Sequence, residues 1–400
     1  MSNFESWVSQ QHSRLMELWK TNSEITESLG DLFYKEYLSI MKSAEEAWGG
    51  THFSRDFLRM NIQALENRNW DKVGEAFRYE RFFHESGNFI MAAPYSALRK
   101  GVRTALPTLI IGRVLTRSNI DHLRALADEI FEKPSERLNT LIPVEIMASC
   151  GLAGSESGEA FLVPDGWVFP KSEEGPALND MREQRRRFEK SARKCIQTIF
   201  EEASAALLID AYESSEPWFA LQHREFLYHE IGHTTGLGLK MKLGGNWLTT
   251  PWYRAVEEWR SDGVEFELLS RTLNTSDAGK VVASNLMLRF GVDSQRLGGL
   301  ERDTDVSASL LTFDRLMEAG YLKVGKNRKL EFTIPTYQRL LAATELHRFD
   351  AIRLTQDENC LTYPEGLWSL YGSVKVSRGT RNIFQGLVID PCKGLFSTLN

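Results

Sequence analysis

Two histidines four residues apart bracket a glutamate in the run His229-Glu230-Ile231-Gly232-His233. If the run is helical, both imidazoles leave one face of the helix, a turn apart. Two rings at that spacing can hold a single Zn²⁺ at about 2.0–2.1 Å each. Glu230 then lies about 100° round the helix. It sits beside the metal rather than on it, where a general base for an attacking water belongs.

Such a pair needs a third ligand. A histidine six residues after the second would fall at 239, but that residue is Leu239, and no histidine occurs between His233 and His347. The remaining route is a glutamate on a second helix some distance downstream. Ala255-Val-Glu-Glu-Trp-Arg-Ser-Asp-Gly-Val-Glu-Phe-Glu supplies one, with Glu257 and Glu258 both candidates. Glu258 is preferred, because Asp262 follows it by one helical turn. A carboxylate there shares the ligand's face and can accept the outer N–H of a ligand histidine. Glu257 is placed beside it as a second flanking carboxylate. Glu265 and Glu267 meet the spacing without such a partner. For an oxyanion stabiliser the candidates are Tyr253, Arg260, His347, Tyr371 and Arg378, and spacing selects none of them. His347 fits a structural role better, and His223, just ahead of the motif, is a candidate pocket residue.

The elements around this pair read as follows. Residues 3–48 carry apolar side chains at helical spacing (Trp7, Leu15, Leu18, Trp19; Leu29, Leu32, Phe33, Tyr37) and end at Gly49-Gly50. Residues 54–66, 69–84, 93–103 and 117–132 are further helix candidates, the last opening on a capping-box pattern at Ser118 and Asp121. Residues 139–170, with Leu141-Ile-Pro-Val-Glu-Ile-Met, Phe161-Leu-Val and Trp167-Val-Phe between Gly and Pro, read as short strands. Residues 178–212 form one long helical pattern, with Arg185 to Arg187 on a solvated face. Lys240–Tyr253 is a loop, and the C-terminal stretch 363–390 mixes strand-like runs with turns. The expected fold is mostly α with a small β part. A helical N-terminal region over 1–135 precedes a metal-binding catalytic domain over 136–400, in which two helices carry the metal.

Composition sets the frame. The chain of 400 residues is 42% apolar and 26% charged, with a net charge of −6. An acidic balance argues against nucleic acid or an anionic membrane as partner. The most apolar stretch, Ala105–Leu115, is interrupted by Pro107 and Arg113 and is too short to span a bilayer. Cys150, Cys195, Cys360 and Cys392 are far apart and form no metal-ribbon or disulfide framework, which fits a reducing, cytoplasmic setting, and no leader-like run opens the chain.

At this point the residues resemble a family. A zinc-helix motif followed by a downstream Glu-xxx-Asp resembles the gluzincin metallohydrolases. Glu257-Glu258-Trp-Arg260-Ser-Asp262 is similar to the EECRAE motif of the dipeptidyl peptidase III family. The stretches Phe313 to Leu322 and Leu330 to Ile334 add to the likeness, which covers residues 220–350. It implies a zincin-like two-helix site with zinc on His229, His233 and Glu258. It also implies hydrolysis of an amide or peptide carbonyl in a short peptide. The chain departs from that family in its helix motif, which is one residue shorter than HELLGH, and in lacking a histidine on the later helix, where Asp303–Ser309 is acidic and small. These departures leave two alternatives. One is a non-peptidase metalloenzyme, with zinc, Fe²⁺ or another divalent metal, acting on a small molecule. The other is a binding protein with a relic metal site.

Overall fold

The computed structural model describes residues 3–21, 27–70, 72–73, 87–96, 105–115, 120–131, 141–150, 161–162, 177–213, 218–235, 251–296, 298–300, 302–356, 371–393 and 395. The chain is α+β, mostly helical with a small sheet part, and divides into two compact units. The first comprises residues 1–118 and 139–185 with residue 400, and the second residues 119–138 and 186–399.

In the first unit, α1 (Asn3–Thr21), α2 (Glu27–Trp48) and α3 (Arg55–Asn67) form where the helical spacing predicts them. Phe33, Tyr37, Ile40, Met41 and Ala44 bury one face of α2. Four further segments, β1 (Asn88–Ser96), β2 (Ala105–Val114), β3 (Leu141–Cys150) and β5 (Ala177–Asp180), join a short β4 (Phe161–Leu162) in a five-stranded sheet. Its order is β1-β2-β3-β5-β4, with β3 and β5 parallel and the other pairs antiparallel. α1 packs on β3, α2 on β2 and α3 on β1.

This corrects the expected helical N-terminal region and its boundary at 135. Residues 93–96 of the expected helix 93–103 are the end of β1, and the apolar run from Ala105 is β2. Consecutive residues Phe89–Ala92 and Leu109–Ile111 are buried, so both faces of these strands are covered. A strand covered on both faces has no two-residue alternation to betray it. The sheet also recruits β3 and β5, so the unit crosses residue 135. Most of 69–84, all of 163–176, residues 97–104, and Ser118 of the capping pattern lie outside the described residues.

In the second unit, α4 (Ile120–Phe131) forms as expected. The expected single helix over 178–212 is instead β5, then α5 (Met181–Arg187), a π-helical turn at Phe188–Ala192, α6 (Arg193–Ile199) and α7 (Glu202–Glu213). The break falls at Phe200. Its backbone is extended, it forms a bridge with Leu330, and Glu201 N–H donates to the Leu330 carbonyl. Phe200 stacks on Phe332 at 5.4 Å, so a tertiary contact overrides the helical period there.

α8 (Trp218–Thr234) carries the two histidines, and α9 (Pro251–Thr272) carries Glu257 and Glu258. Pro251 opens α9, where its missing N–H costs nothing. α9 is the central helix. It packs on α8, on α11 (Thr304–Glu318) and on α13 (Glu345–Gln356), and α10 (Thr275–Gly291) packs on α7 and α8 and on α12 (Tyr337–Ala343). Residues 259–269 of α9 are buried on every side although Arg260, Asp262, Glu265 and Glu267 are among them. Charges so buried require partners. A hairpin of β6 (Leu322–Val324) and β7 (Leu330–Phe332) follows α11.

The described part of the C-terminal stretch is helical rather than strand-like: α14 (Arg378–Phe384), a π turn at Gln385–Ile389 and a 3₁₀ turn at Asp390–Cys392. Residues 236–250, including Gly236, Gly238 and most of the expected loop, lie outside the described residues. No helix among the described residues is long and apolar enough to cross a membrane.

Candidate metal centre

Gly232 sets how closely the two site helices meet. A Cβ there would lie 2.7 Å from the Ser261 carbonyl oxygen and still nearer its hydroxyl, so a larger residue would push α9 away. Ser261 Oγ donates to the His229 carbonyl across the same contact. Arg260 ties the helices again, donating to the Gly232 carbonyl at 2.9 Å and the Thr235 carbonyl at 3.3 Å. Carbonyls at a helix C-terminus lack intrahelical partners, and a guanidinium satisfies them.

At this approach three ligand atoms converge. His229 Nε2 lies 3.0 Å from His233 Nε2 and 3.1 Å from Glu258 Oε2, and His233 Nε2 lies 3.4 Å from the same oxygen. A tetrahedral ion with bonds of about 2.0–2.1 Å separates its ligands by about 3.3 Å. The triangle therefore has the size zinc requires. The candidates Glu257, Glu265 and Glu267 are not in it. Glu257 lies on the Nδ1 side of His233, Glu265 belongs to the group around Asp262, and Glu267 pairs with Arg271 and Arg348.

The far side of each ring fixes what the near side offers. His229 Nδ1 meets Asp262 Oδ1 at 2.8 Å, and His233 Nδ1 meets Glu257 Oε1 at 3.2 Å. A carboxylate accepts, so each Nδ1 carries its hydrogen and each Nε2 presents a lone pair inward. Two lone pairs 3.0 Å apart, facing a carboxylate oxygen, repel unless a proton or a metal ion sits among them. Each supporting carboxylate is held in turn by an arginine. Arg289 grips Asp262 through Nε at 2.8 Å and Nη2 at 2.7 Å. Arg260 grips Glu257 through Nε at 2.8 Å and Nη2 at 2.6 Å. Two matched chains of arginine, carboxylate and histidine thus aim both rings at one point.

The electrostatics follow from these contacts. Burial alone would lower both histidines, but the Asp262 and Glu258 carboxylates hold His229 well above its ordinary range, and Glu258 and Glu257 hold His233 at about 9. Against its own burial, Glu258 is held well below the carboxylate range by the two imidazoles, and Glu257 is held at about 2, chiefly by Arg260. The carboxylates thus favour the positively charged form of both imidazoles. Glu230 is partly exposed and makes no hydrogen bond to another described residue. The base candidate is therefore not committed to the fold.

The oxyanion candidates separate cleanly. Arg260 and Tyr371 are fully buried on Glu257 and are supports, not groups facing a substrate. His347 is buried, stacked on Trp259 at 4.5 Å and bonded to its carbonyl, which is a structural role. His223 is buried with Nδ1 unpartnered, and burial pushes it down to about 4. Arg378 is exposed in the first turn of α14, and Tyr253 is partly exposed near the start of α9.

Reading the motif alone missed Arg289 and Asn285 on α10 and Glu225 on α8. Asn285 Nδ2 donates to Asp262 at 3.2 Å and to Glu265 at 3.1 Å, and approaches Glu225 at 3.4 Å. Burial pushes Glu225 up to about 8 and Glu265 well above the carboxylate range. One signal was available: Glu225 stands one turn before His229 on the same helical face. Nothing in spacing could point to Arg289, which lies on another helix.

No curated protein matches the chain. A model described as a family of unknown function (DUF6014) matches residues 36–220, ending ahead of His229. Among solved structures, DPP III from Caldithrix abyssi is similar with a TM-score of 0.58 and 12% identity, covering 93% of this chain and 73% of that one. Dipeptidyl-peptidase III from Corallococcus sp. strain EGB is similar with a TM-score of 0.53 and 14% identity, covering 92% of this chain and 71% of that one. The fold of this chain is remotely similar to that of dipeptidyl peptidase III, in agreement with the resemblance that the Glu257–Asp262 motif implies.

Proposed function

We propose that the chain is a zinc-dependent hydrolase that cleaves an amide or peptide carbonyl. His229, His233 and Glu258 would hold the ion, with Asp262 and Glu257 fixing the rings, and Glu230 would serve as general base. The observation that carries the reading is the triangle of inward-facing donors at 3.0–3.4 Å, with both outer nitrogens already committed to carboxylates. When bound, zinc acidifies a water and polarises a carbonyl. Glu230, one residue past a ligand and uncommitted, takes the water's proton and returns it to the leaving nitrogen. Asp262 and Glu257 keep both Nδ1 hydrogens outward, so neither ring turns during the reaction. The fold-level similarity to dipeptidyl peptidase III favours a short peptide as substrate, and a small molecule is the second class to test.

The test is protein purified without added metal. Stoichiometric zinc is expected, with hydrolysis of some member of a panel of short fluorogenic peptide amides. Glu230→Gln should keep the metal and lose turnover by roughly 10²–10⁴-fold, the usual contribution of a positioned base. Stoichiometric iron with oxygen-dependent turnover would overturn hydrolysis, since two histidines and one carboxylate also suit non-haem iron. Unchanged activity in Glu230→Gln would remove the base and the catalytic reading with it.

A further inference from the structure

We infer that Tyr371 is a positioning residue for the metal centre: through Glu257 it fixes the orientation of His233, so that part of the site's affinity is set by the C-terminal segment of the chain. The inference rests on the metal reading above and adds a remote residue to it. The chain of contacts is short. Tyr371 OH donates to Glu257 Oε2 at 2.7 Å, and Glu257 Oε1 accepts from His233 Nδ1 at 3.2 Å. Arg260 bridges both oxygens of the same carboxylate.

The two histidine supports differ in where their donors come from. Asp262 draws Arg289 and Asn285 from α10, one rigid helix packed on both α8 and α9. Glu257 draws Arg260 from its own helix, three residues on. Its further donor, Tyr371, is 114 residues away in sequence. Arg260 is itself shared among the Gly232 carbonyl, the Thr235 carbonyl and Thr355 Oγ1, so it cannot follow Glu257 alone. The tyrosine hydroxyl shares Oε2 with Arg260 Nε, while Oε1 faces Arg260 Nη2 and His233 Nδ1, so the hydroxyl adds a second anchor from outside the helix that holds Oε1 toward His233. The phenol is itself well placed for this. Its ring is fully buried and lies against Tyr253, with centroids 6.4 Å apart, so packing fixes the direction in which the hydroxyl points. A buried phenol must also find a partner, which ties the segment to Glu257.

The test uses the full chain and compares Tyr371→Phe with Val374→Ala. The first removes the hydroxyl and keeps the ring. The second loosens the same buried segment without touching the hydrogen bond. Zinc affinity is read by chelator competition, ligand geometry by the visible spectrum of the cobalt-substituted protein, and stability by thermal unfolding. Tyr371→Phe should weaken zinc by about tenfold, the lower end of what outer partners of a metal ligand contribute, and shift the cobalt bands. Val374→Ala should lower the melting temperature while leaving affinity and spectrum unchanged. Equal weakening of zinc by both variants, or wild-type affinity and spectrum in Tyr371→Phe, would overturn the role of Tyr371 while the metal site stands. Failure of the wild-type protein to bind zinc would instead remove the reading beneath it.

Discussion

Asp262 Oδ1 takes the Nδ1–H of His229 at 2.8 Å while Arg289 grips the same carboxylate at both oxygens. The group is fully buried, so its charge is balanced inside the protein rather than by water. Asp262→Asn keeps the shape and removes the charge, leaving the Arg289 guanidinium to Asp293 at 3.1 Å and Asp305 at 3.8 Å, both reached through Nη1. Breaking a buried pair by removing one partner costs about 3–5 kcal/mol. Losing the carboxylate that orients a ligand histidine costs about 10–100-fold in metal affinity. Urea denaturation and chelator competition check the two effects separately. Wild-type stability and affinity together would show that His229 needs no such support.

Glu225 and Glu265 stand beside Asp262 and behave oppositely. Burial raises both, and Glu225 Oε2 and Glu265 Oε1 have no hydrogen-bond partner. Burial favours the neutral acid in both. Glu225→Gln should therefore shift stability at pH 6 by no more than about 1 kcal/mol, against the larger loss in Asp262→Asn. The pH dependence has a definite sign. Glu225 titrates at about 8 in the folded chain and at about 4.3 unfolded. Between these the folded state holds the extra proton, so this group's contribution is full below the lower value. It is lost as pH rises through the upper one, at up to about 1.4 kcal/mol per pH unit. Stability at pH 6 and pH 9 should differ in the wild type and differ less in Glu225→Gln, the remainder belonging to Glu265. An equal loss in both proteins would assign the alkaline limb to other groups.

Gly232 tests the helix approach itself. An added methyl meets the Ser261 backbone and hydroxyl, rigid atoms of a buried helix that cannot move aside. Overpacking of this kind costs about 1–3 kcal/mol. Gly232→Ala should lose that much and should also weaken metal binding, because Glu258 is carried away with α9. Circular dichroism melting and metal titration read both. A variant that melts lower yet binds zinc normally would show that the helix spacing does not set the ligand triangle.

The legible parts of this chain were those written in local spacing. His229, Glu230 and His233 share α8, and Glu258 and Asp262 lie a turn apart on α9, so periodicity alone brings each of the pairs His229–His233 and Glu258–Asp262 onto one helical face. α1 and α2 follow from apolar residues at helical spacing. What spacing could not reach was set by tertiary contact. β1 and β2 are covered on both faces, so Phe89–Ala92 and Leu109–Ile111 carry no alternation. Phe200 breaks its helix to bridge Leu330. Arg260 and Tyr371, credible from their chemistry as groups that face a substrate, are turned inward to hold Glu257. α9 is buried all round with charged residues on several faces, a pattern that looks like a solvated helix until Arg289 and Asn285 are placed beside it.

A metal ion held by His229 and His233 would compete with protons for two nitrogens. His229 Nε2 and His233 Nε2 can ligate only as bare lone pairs, and Glu258 only as a carboxylate. In the metal-free cluster the neighbouring carboxylates keep His233 protonated up to about 9 and hold His229 well above its usual range. Zinc entering at pH 7 must therefore expel one to two protons. Calorimetric titrations in buffers of different ionisation enthalpy should detect that release directly. The apparent affinity should climb with pH, by up to about tenfold per unit for each proton displaced, and the share due to His233 should end as pH passes about 9. Acid should strip the metal in the reverse sense. Zinc uptake with no proton release and no pH dependence would mean that the ion binds elsewhere.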